Sequence, residues 1–594
     1  MSKSLTQRIS QFVRIVPTLI VRKFSNRQFL IVMAVVVGLC AGFVAILLKA
    51  TVHYLQSGFS TLHNQYPWIY AAAPSLGILI TIGFTKLILN NQLQKGTYHV
   101  LLAIGKKSSQ LPRSEVYSHA VTSALTVGAG GSAGLESPIV QTGSAIGSNI
   151  ASLFPLGYKD RTLLLACGAS AGIASAFNAP IAGVLFALEV LLVDVSISSF
   201  IPLLMAGATG ALLSKIALSE EILLSFKEAS PFNYFNIPYY IILGILCGVA
   251  SVYYIRVYLS IENLFERFSH WSLKWCLGGA LLAILIYLFP PLFGEGYATI
   301  RVLSTSDAVT LFSNSPFQAL FSQSSLWIGI SVLLISLLKV LAVSFSINAG
   351  GNGGNFAPAL TMGSALGFSY AYITNSISAL SLPTSNFSLV AMAGVLTGIF
   401  HAPLTAIFLI AEITGGYDLM IPLMIVAAIS TSISRYFGPH SLDDAKLIRA
   451  KALTVSYRNM QVISGLAPSD FLEKDFVTIS EKSTLRELIG AIEKSKRNVF
   501  PVVDGNDRLV GIISLEEIRG IMFSTSLYDS IKVTQLMHEP TLCIDDTDDI
   551  YSIMDKFDKT DMWNIPVRSG EKYKGFMSKS TVYSKFRELS ARHQ

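Results

Sequence analysis

Long apolar runs occupy the first three quarters of the chain and end near residue 437. The first, residues 30–48, is long enough to cross a bilayer as one helix. The later runs are irregular, and many are too short for a simple span or are interrupted by Gly or Pro; they cover about residues 68–90, 117–127, 138–154, 162–174, 178–194, 199–218, 236–260, 274–292, 325–347, 358–375, 387–399, 403–415 and 419–434. Because short, interrupted segments indicate broken helices, this pattern predicts an all-α polytopic membrane domain over residues 28–440.

Two motifs of the first half recur in the second half, in the same order. Residues 136–147 align with 356–367 at an offset of 220, and residues 177–189 align with 400–412 at an offset of 223. Transporters built from such repeats place their binding sites at the repeat interface, near the middle of the bilayer. We therefore predict an inverted repeat of about residues 28–218 and 236–437, with a site where the halves meet.

The chain becomes polar and mixed in charge from residue 441 onward. We predict a linker over residues 441–464 and two copies of a small α/β unit over 465–594. Residues 500–514 have the pattern of a strand, a turn at Asp504-Gly505 and a second strand, and residues 563–578 repeat that order. This part is expected to be soluble and cytoplasmic.

Composition and charge agree with a membrane protein. Hydrophobic residues make up 52% of the chain and charged residues only 14%, whereas soluble domains average about 25% charged residues. The five cysteines are scattered without a Cys-x-x-Cys pair, so we interpret them as apolar packing residues and expect no metal site. The N-terminal segment 1–27 has basic residues and no acidic one, which predicts a cytoplasmic N-terminus; they are Lys3, Arg8, Arg14, Arg22, Lys23 and Arg27.

The candidate chemistry lies in a glycine-rich stretch, residues 128–138, which leads Glu136 and Pro138 into an apolar run. Pro138 fits the first turn of a helix, and a helix N-terminus offers unpaired N–H groups and partial positive charge to an anion. Glu136 is itself an anion and would compete for that site. An ionisable residue among membrane segments indicates function. The alternative is a close helix-packing site with an incidental glutamate.

Several other chemistries fit this sequence poorly. The glycine-rich stretch nearly matches a dinucleotide fingerprint, but no acidic residue follows about 20 positions later. The sequence has neither a His-Glu-x-x-His motif nor a Walker motif, so we do not expect an enzyme. A hard-cation transporter needs clustered oxygen ligands, yet Glu136, Glu189 and Glu412 are nearly alone in the apolar region. A cation transporter is therefore kept as the remote alternative.

Gly134-Leu-Glu136-Ser-Pro138 and Gly354-Asn-Phe-Ala-Pro358, in repeated halves of this length, resemble motifs of the CLC family of chloride channels and chloride/proton antiporters. The two terminal units resemble a CBS-domain pair. The resemblance implies that Glu136 is the gating glutamate, whose carboxylate occupies the anion path until it is protonated or displaced. It also implies that backbone N–H groups line the anion sites, at Gly134, Leu135, Asn355 and Phe356.

The same resemblance carries implications for assembly and location. A bacterial-type member is a homodimer in the plasma (inner) membrane, each subunit has its own pore, and both termini are cytoplasmic. The ligand is chloride or another small monovalent anion, with protons as a second ligand in the antiporters. Backbone donors suit such an anion because conduction requires weak, multiple sites.

One departure from the family pattern concerns its first anion motif. Lys95 stands beside Gly96 where the family usually has a serine, and Thr97 or Tyr98 would supply the missing hydroxyl. A fixed positive charge near the path is expected to change anion selectivity. The alternatives are a different register of the motif or a Lys95 side chain that extends to water.

Two further departures concern the inner gate and the proton route. Asp443 stands where the family has an inner tyrosine, so the inner gate is expected to be wide or differently built. Val190 stands where many antiporters have a proton-transfer glutamate, as it does in many passive channels. We therefore expect a passive voltage- or pH-gated chloride channel, with a chloride/proton antiporter as the alternative.

In the terminal pair, Ser514 and Glu517 stand in a stretch that resembles a nucleotide-binding motif. There a hydroxyl contacts phosphate and a carboxylate contacts ribose. The second copy, residues 578–581, has no carboxylate. Binding of an adenine nucleotide and a purely structural, dimer-stabilising role are both left open.

Overall fold

A computed structural model of the chain forms two compact units, Met1–Thr454 and Val455–Gln594. It describes residues 25–65, 68–106, 109–154, 156–192, 197–218, 231–305, 308–312, 315–318, 324–378, 380–449, 468–540, 542–548, 552–553, 556–557 and 562–582. Most of the predicted basic segment, residues 1–24, and residues 450–464 of the predicted linker lie outside this range.

The first half of the membrane unit consists of helices that coincide with its predicted apolar runs, except for the short helix α3. That helix has only nine residues and was not recognisable as an apolar run. The helices are α1 (Asn26–Gln65), α2 (Ile69–Leu87), α3 (Tyr98–Lys106), α4 (Glu115–Gly128), α5 (Glu136–Ala151), α6 (Tyr158–Phe177), α7 (Pro180–Phe186) with a π-helical continuation (Ala187–Leu191), and α8 (Ile197–Ala217).

The second half of the membrane unit repeats this organisation. Two short helices in it, α11 and α17, also escaped prediction because each has only eight residues. The helices are α9 (Ile237–Glu266), α10 (Trp271–Leu288), α11 (Tyr297–Ser304), α12 (Ser325–Asn348), α13 (Phe356–Ile377), α14 (Thr384–Phe400), α15 (Pro403–Ile413), α16 (Met420–Phe437) and α17 (Leu442–Arg449).

Long apolar helices alternate with broken ones, as predicted. Within the described residues, seven helical segments are long and apolar enough to cross a membrane: Asn26–Leu62, Ile69–Leu87, Ser199–Ala217, Tyr234–Glu266, Trp271–Leu288, Leu326–Asn348 and Met420–Arg449. Shorter apolar helices, such as α7 and α15, lie between them. The predicted all-α membrane fold with broken helices is confirmed.

The repeat is visible in the backbone where α6 and α14 end. Asn178 and His401 terminate these helices in the left-handed conformation, with φ of 53° and 55°. Asparagine and histidine adopt this conformation more readily than most residues. A proline then starts the next helix in each half, at Pro180 and Pro403, where its missing N–H has no cost. The two halves therefore make the same sharp turn, with Asn-Ala-Pro in the first and His-Ala-Pro in the second.

Close approach of helices in this unit depends on glycine. A Cβ atom added at Gly143 in α5 would lie 2.2 Å from the carbonyl oxygen of Gly168 in α6. The equivalent position in the second half, Gly363 in α13, would place a Cβ 2.5 Å from the carbonyl oxygen of Ala391 in α14. Small residues allow membrane helices to pack backbone against backbone. These contacts hold α5 against α6 and α13 against α14; the site lies at the first residues of α5 and α13.

The C-terminal unit contains two small sheets with the same strand order. In each sheet the first pair of strands is parallel and the second antiparallel. The strands are β1 (Ile479–Ser480), β2 (Val499–Val503) and β3 (Leu509–Ser514), then β4 (Ile544–Asp545), β5 (Asn564–Ser569) and β6 (Lys572–Ser578).

The hairpin of β2 and β3 contains the predicted turn. The N–H groups of Arg508 and Asn506 donate to the Asp504 carboxylate at 2.9 and 2.8 Å and hold the pKa of Asp504 below its ordinary value. Behind the hairpin, Phe500 packs with Leu485 and Leu488 of α18 (Leu485–Lys494). Burial of such a side chain contributes about 1.5–3 kcal/mol, so this small core holds the helix on the sheet.

Candidate anion-binding site

The two glycine-rich helix starts of the membrane unit meet each other directly. Gly134 donates its N–H to the carbonyl of Gly354 at 2.9 Å, and Gly354 donates to Gly134 at 2.7 Å. This antiparallel bridge places the N-termini of α5 and α13 side by side. It also uses the Gly134 N–H, so the expectation that this N–H faces an anion is corrected: its acceptor is protein.

Glu136 is the first residue of α5 and is 1% exposed. One carboxylate oxygen accepts the hydroxyl of Tyr297, and the other accepts the Ala357 N–H at 3.3 Å. A Cβ added at Gly134 would lie 2.4 Å from that second oxygen. The absent side chain of Gly134 thus leaves room for the carboxylate, which lies at the N-terminus of α13, where a helix favours negative charge.

A cavity of about 440 Å³ opens next to Glu136. Gly134, Leu135 and Val190 are not among its lining residues, and Leu135 is fully buried. The other predicted site residues of the membrane unit line it together: Lys95, Gly96, Thr97, Glu136, Asn355, Phe356 and Asp443. Segments far apart in the sequence therefore contribute to one space.

Lys95 and Thr97 bring polar groups to one wall of this cavity. The Lys95 ammonium donates to the carbonyl of Gly350 at 2.9 Å, so it is held by protein and does not extend freely to water. The hydroxyl of Thr97 forms a 2.9 Å hydrogen bond with that of Ser137. The wall therefore combines an ammonium group with hydroxyl groups.

Asn355 and Phe356, from the second half of the repeat, also line the cavity. Tyr254 donates its hydroxyl to the Asn355 side chain at 2.9 Å and orients it. The Phe356 ring contacts three further aromatic rings, those of Phe177, Phe186 and Phe400, at centroid distances of 5.7, 6.4 and 5.6 Å. This aromatic cluster fixes the start of α13 beside Glu136.

Charged side chains mark the end of the cavity at α17. Asp443 and Lys446 both line it from this helix. The Lys446 ammonium lies 3.1 Å from the Glu262 carboxylate and donates to the Tyr258 hydroxyl at 3.1 Å. Asp443 stands where a tyrosine was expected from the family, and two tyrosines from elsewhere, Tyr98 and Tyr258, line the same cavity.

A family model described as voltage gated chloride channel matches residues 77–435, which is more than half of the chain. The chain belongs to the voltage-gated chloride channel (CLC) family. A CBS domain model matches residues 469–524 in the C-terminal unit. Anion transport is therefore the function of this chain at the family level, and the predicted resemblance is confirmed.

Individual relatives agree with this assignment. A Ralstonia nicotianae protein, provisionally named chloride channel protein ClcB-like, is 28% identical over 367 residues, covering 61% of this chain and 80% of that protein. The crystal structure of a slow cyanobacterial Cl⁻/H⁺ antiporter superimposes on this chain with a TM-score of 0.61 at 25% identity. The match covers 73% of this chain and 99% of the antiporter chain. A eukaryotic CLC transporter matches in fold, with a TM-score of 0.60 at 18% identity over 94% of this chain and 99% of its own.

Two further carboxylates of this CLC chain are helix caps. Glu189 accepts the N–H groups of Leu404 and Thr405 at 2.9 and 2.7 Å at the start of α15. Glu412 accepts those of Ile181 and Ala182 at 2.9 and 2.8 Å at the start of α7. A glutamate of each half thus caps a helix of the other half. This capping role gives both carboxylates a structural function. Val190 follows Glu189 within the π-helical turn, half-buried.

Sequence reasoning missed several buried ionisable residues of the CLC unit, among them Lys49, Glu295 and Lys339. Lys49 and Glu295 are 5% and 8% exposed, and Lys339 is fully buried. Tyr297, the hydroxyl partner of Glu136, was also missed. For two of them the available signal was a lysine: Lys49 directly follows the apolar run in α1, and Lys339 lies inside that in α12, and such residues are rare in membrane segments.

In the CBS region, Ser514 and Glu517 are partners of each other. Glu517 accepts the Ser514 N–H at 2.9 Å, while the Ser514 hydroxyl accepts the Glu517 N–H at 3.4 Å, which together cap α19 (Leu515–Ile518). The other Glu517 oxygen lies 3.1 Å from the His538 ring. In the second copy, the hydroxyls of Ser578 and Thr581 both donate to the Glu473 carboxylate.

Proposed function

We propose that this CLC chain is a passive channel for chloride or a similar small monovalent anion, and that Glu136 is its gate. The observation that carries the proposal is the position of the Glu136 carboxylate at the N-terminus of α13, bonded to the Ala357 N–H. A permeating anion is attracted to the same helix ends. The ionised side chain and the anion therefore compete for one place, and protonation of Glu136 removes its charge and frees the path.

The path we propose continues from Glu136 along the cavity. It passes the backbone N–H groups of Asn355 and Phe356 and the wall of Gly96 and Thr97. Such donors attract a monovalent anion without trapping it. Lys95 raises the local anion concentration by its positive charge. We leave the backbone N–H of Leu135 out of the proposed path, because Leu135 does not line the cavity.

The preference for a channel over an antiporter rests on Val190. An apolar side chain carries no proton, and the adjacent Glu189 carboxylate is occupied by the N-terminus of α15. The alternative, a chloride/proton antiporter, is supported by the similarity to the slow cyanobacterial Cl⁻/H⁺ antiporter. A passive channel needs no proton route from the other side of the membrane, which is why we favour it.

The test is chloride efflux from liposomes containing the purified protein, measured over a range of pH. We expect wild-type flux to rise as the pH falls, because protonation releases Glu136. Glu136→Gln, which mimics the protonated state, is expected to be active with little pH dependence. A matched control is Glu266→Gln, which removes an exposed carboxylate at the end of α9 and should keep the wild-type profile. Unchanged pH dependence in Glu136→Gln would refute the gate.

We further propose a homodimer with one pore in each subunit, located in the plasma (inner) membrane with both termini cytoplasmic. For the CBS pair we favour a structural role, because Ser514 and Glu517 already satisfy each other. Calorimetric titration of the full-length protein with ATP tests this: heat of saturable binding that Ser514→Ala removes would favour a nucleotide site instead.

A further inference from the structure

A group of buried ionisable side chains lies close to Glu136 but does not line the cavity. Lys49 in α1 and Glu295, which precedes α11, are 5% and 8% exposed, and neither lines the cavity. Buried charges in a membrane protein are energetically costly and are retained for a reason. Neither side chain has a role in the proposed anion path itself.

Lys49 reaches the immediate surroundings of Glu136. Its ammonium donates to the carbonyl of Ala176 and lies 5.5 Å from the ring centroid of Phe177 and 5.4 Å from that of Tyr297. Tyr297 in turn donates its hydroxyl to Glu136. The ammonium thus lies one aromatic ring away from the gate carboxylate and interacts with it electrostatically.

Glu295 lies close to the same group, two residues before Tyr297. One of its carboxylate oxygens is buried and has no hydrogen-bond partner among the described residues. It interacts electrostatically with Glu136, Lys49 and Lys339. In the low-dielectric interior of a protein, a buried carboxylate interacts more strongly with nearby charges than it would in water.

Two other basic groups face this cluster. Lys339 lies in α12. Its ammonium donates to the Ser132 hydroxyl at 2.8 Å and to the Gly294 carbonyl at 3.0 Å, so it is held against the loop before α11. Arg301 in α11 interacts electrostatically with Lys49. Among the described residues, the ionisable groups of this cluster besides Glu136 and Tyr297 are therefore Lys49, Glu295, Lys339 and Arg301.

We propose that Lys49 and Glu295 are positioning residues that set the pH at which Glu136 opens the anion path. While it is ionised, Lys49 favours the ionised, closed form of Glu136; Glu295, while it is ionised, favours the protonated, open form. This inference rests on Glu136 being the gate. The two charges oppose each other, so their removal is expected to shift the gate in opposite directions.

The experiment measures chloride efflux from liposomes against pH for Lys49→Met and Glu295→Gln. Lys49→Met should move the pH of half-maximal flux upward, and Glu295→Gln should move it downward. Each shift should be about one pH unit, as expected when one buried charge near a carboxylate is removed. Lys49→Arg keeps the charge and should stay near the wild-type value. The double variant should return towards wild type because the opposing effects cancel.

Two controls separate this inference from the gate itself. Lys86→Met removes an ammonium that lies over the Trp271 ring, away from Glu136, and should leave the pH of half-maximal flux unchanged. In a Glu136→Gln background neither substitution should introduce pH dependence. If Glu136→Gln removes the pH dependence while Lys49→Met and Glu295→Gln leave the pH of half-maximal flux at the wild-type value, the gate stands and the inference is wrong. Shifts of both variants in the same direction would also overturn it.

Discussion

Replacement of Tyr297 by phenylalanine removes the hydroxyl that holds the proposed gate. This hydroxyl donates to one oxygen of the Glu136 carboxylate, while the Ala357 N–H reaches the other at 3.3 Å. The ring of Tyr297 lies in edge contact with Phe177, at a centroid distance of 6.1 Å. Phenylalanine keeps that contact, so the substitution deletes one hydrogen bond with little change of shape.

The size of the effect follows from the bond that is lost. A hydrogen bond to a charged group contributes about 1.5–3 kcal/mol, and about 1.4 kcal/mol corresponds to one unit of pH in a protonation equilibrium. The bond stabilises the ionised carboxylate more than the protonated one. Tyr297→Phe should therefore raise the pH of half-maximal chloride flux by about one to two units.

The assay is chloride efflux from liposomes over a range of pH, with Tyr158→Phe as the matched control. Tyr158 is also buried and donates its hydroxyl to a backbone carbonyl, that of Ile104, at 3.0 Å. This control should keep the wild-type pH of half-maximal flux. The reasoning is refuted if Tyr297→Phe leaves that pH unchanged or lowers it, since the carboxylate would then not depend on this donor.

Two other predictions concern selectivity and packing. Lys95→Ser should change the chloride-to-nitrate permeability ratio, on the order of fivefold for the loss of about 1 kcal/mol of charge interaction; an identical ratio in reversal-potential measurements would place Lys95 outside the path. Gly143→Ala should lower the stability of the protein in detergent by about 1–3 kcal/mol, because its Cβ would meet the Gly168 carbonyl at 2.2 Å. Gly83→Ala, which meets nothing within 4 Å, should not lower it, and equal thermal melting of the two variants would contradict the packing argument.

The sequence was sufficient for features whose signals are local. The broken apolar segments, the repeat at offsets of 220 and 223, and Glu136 at the start of a helix could all be read from short stretches. The turn at Asp504 was predictable for the same reason. The segments, the helix start and the turn depend on residues that are neighbours in the chain, where propensity and spacing decide the structure, and the repeat is found by comparing two such stretches.

Features that depend on contacts between the halves could not be predicted. The Gly134–Gly354 bridge consumes an N–H that the family resemblance assigned to the anion. Tyr297 reaches Glu136 across 161 positions, and no local pattern marks it as a donor. Glu189 and Glu412 looked like isolated carboxylates in the sequence, whereas in the fold each caps a helix of the other half.

The most direct test of a Glu136-gated passive channel uses wild-type protein in liposomes with a chloride gradient and a pH electrode outside. The voltage is clamped by valinomycin and potassium, so that protons have no electrical driving force. The account predicts rapid chloride efflux without coupled proton movement. Uphill proton movement driven by the chloride gradient would contradict the passive channel and identify an antiporter, and the absence of any chloride flux would contradict the proposed anion path.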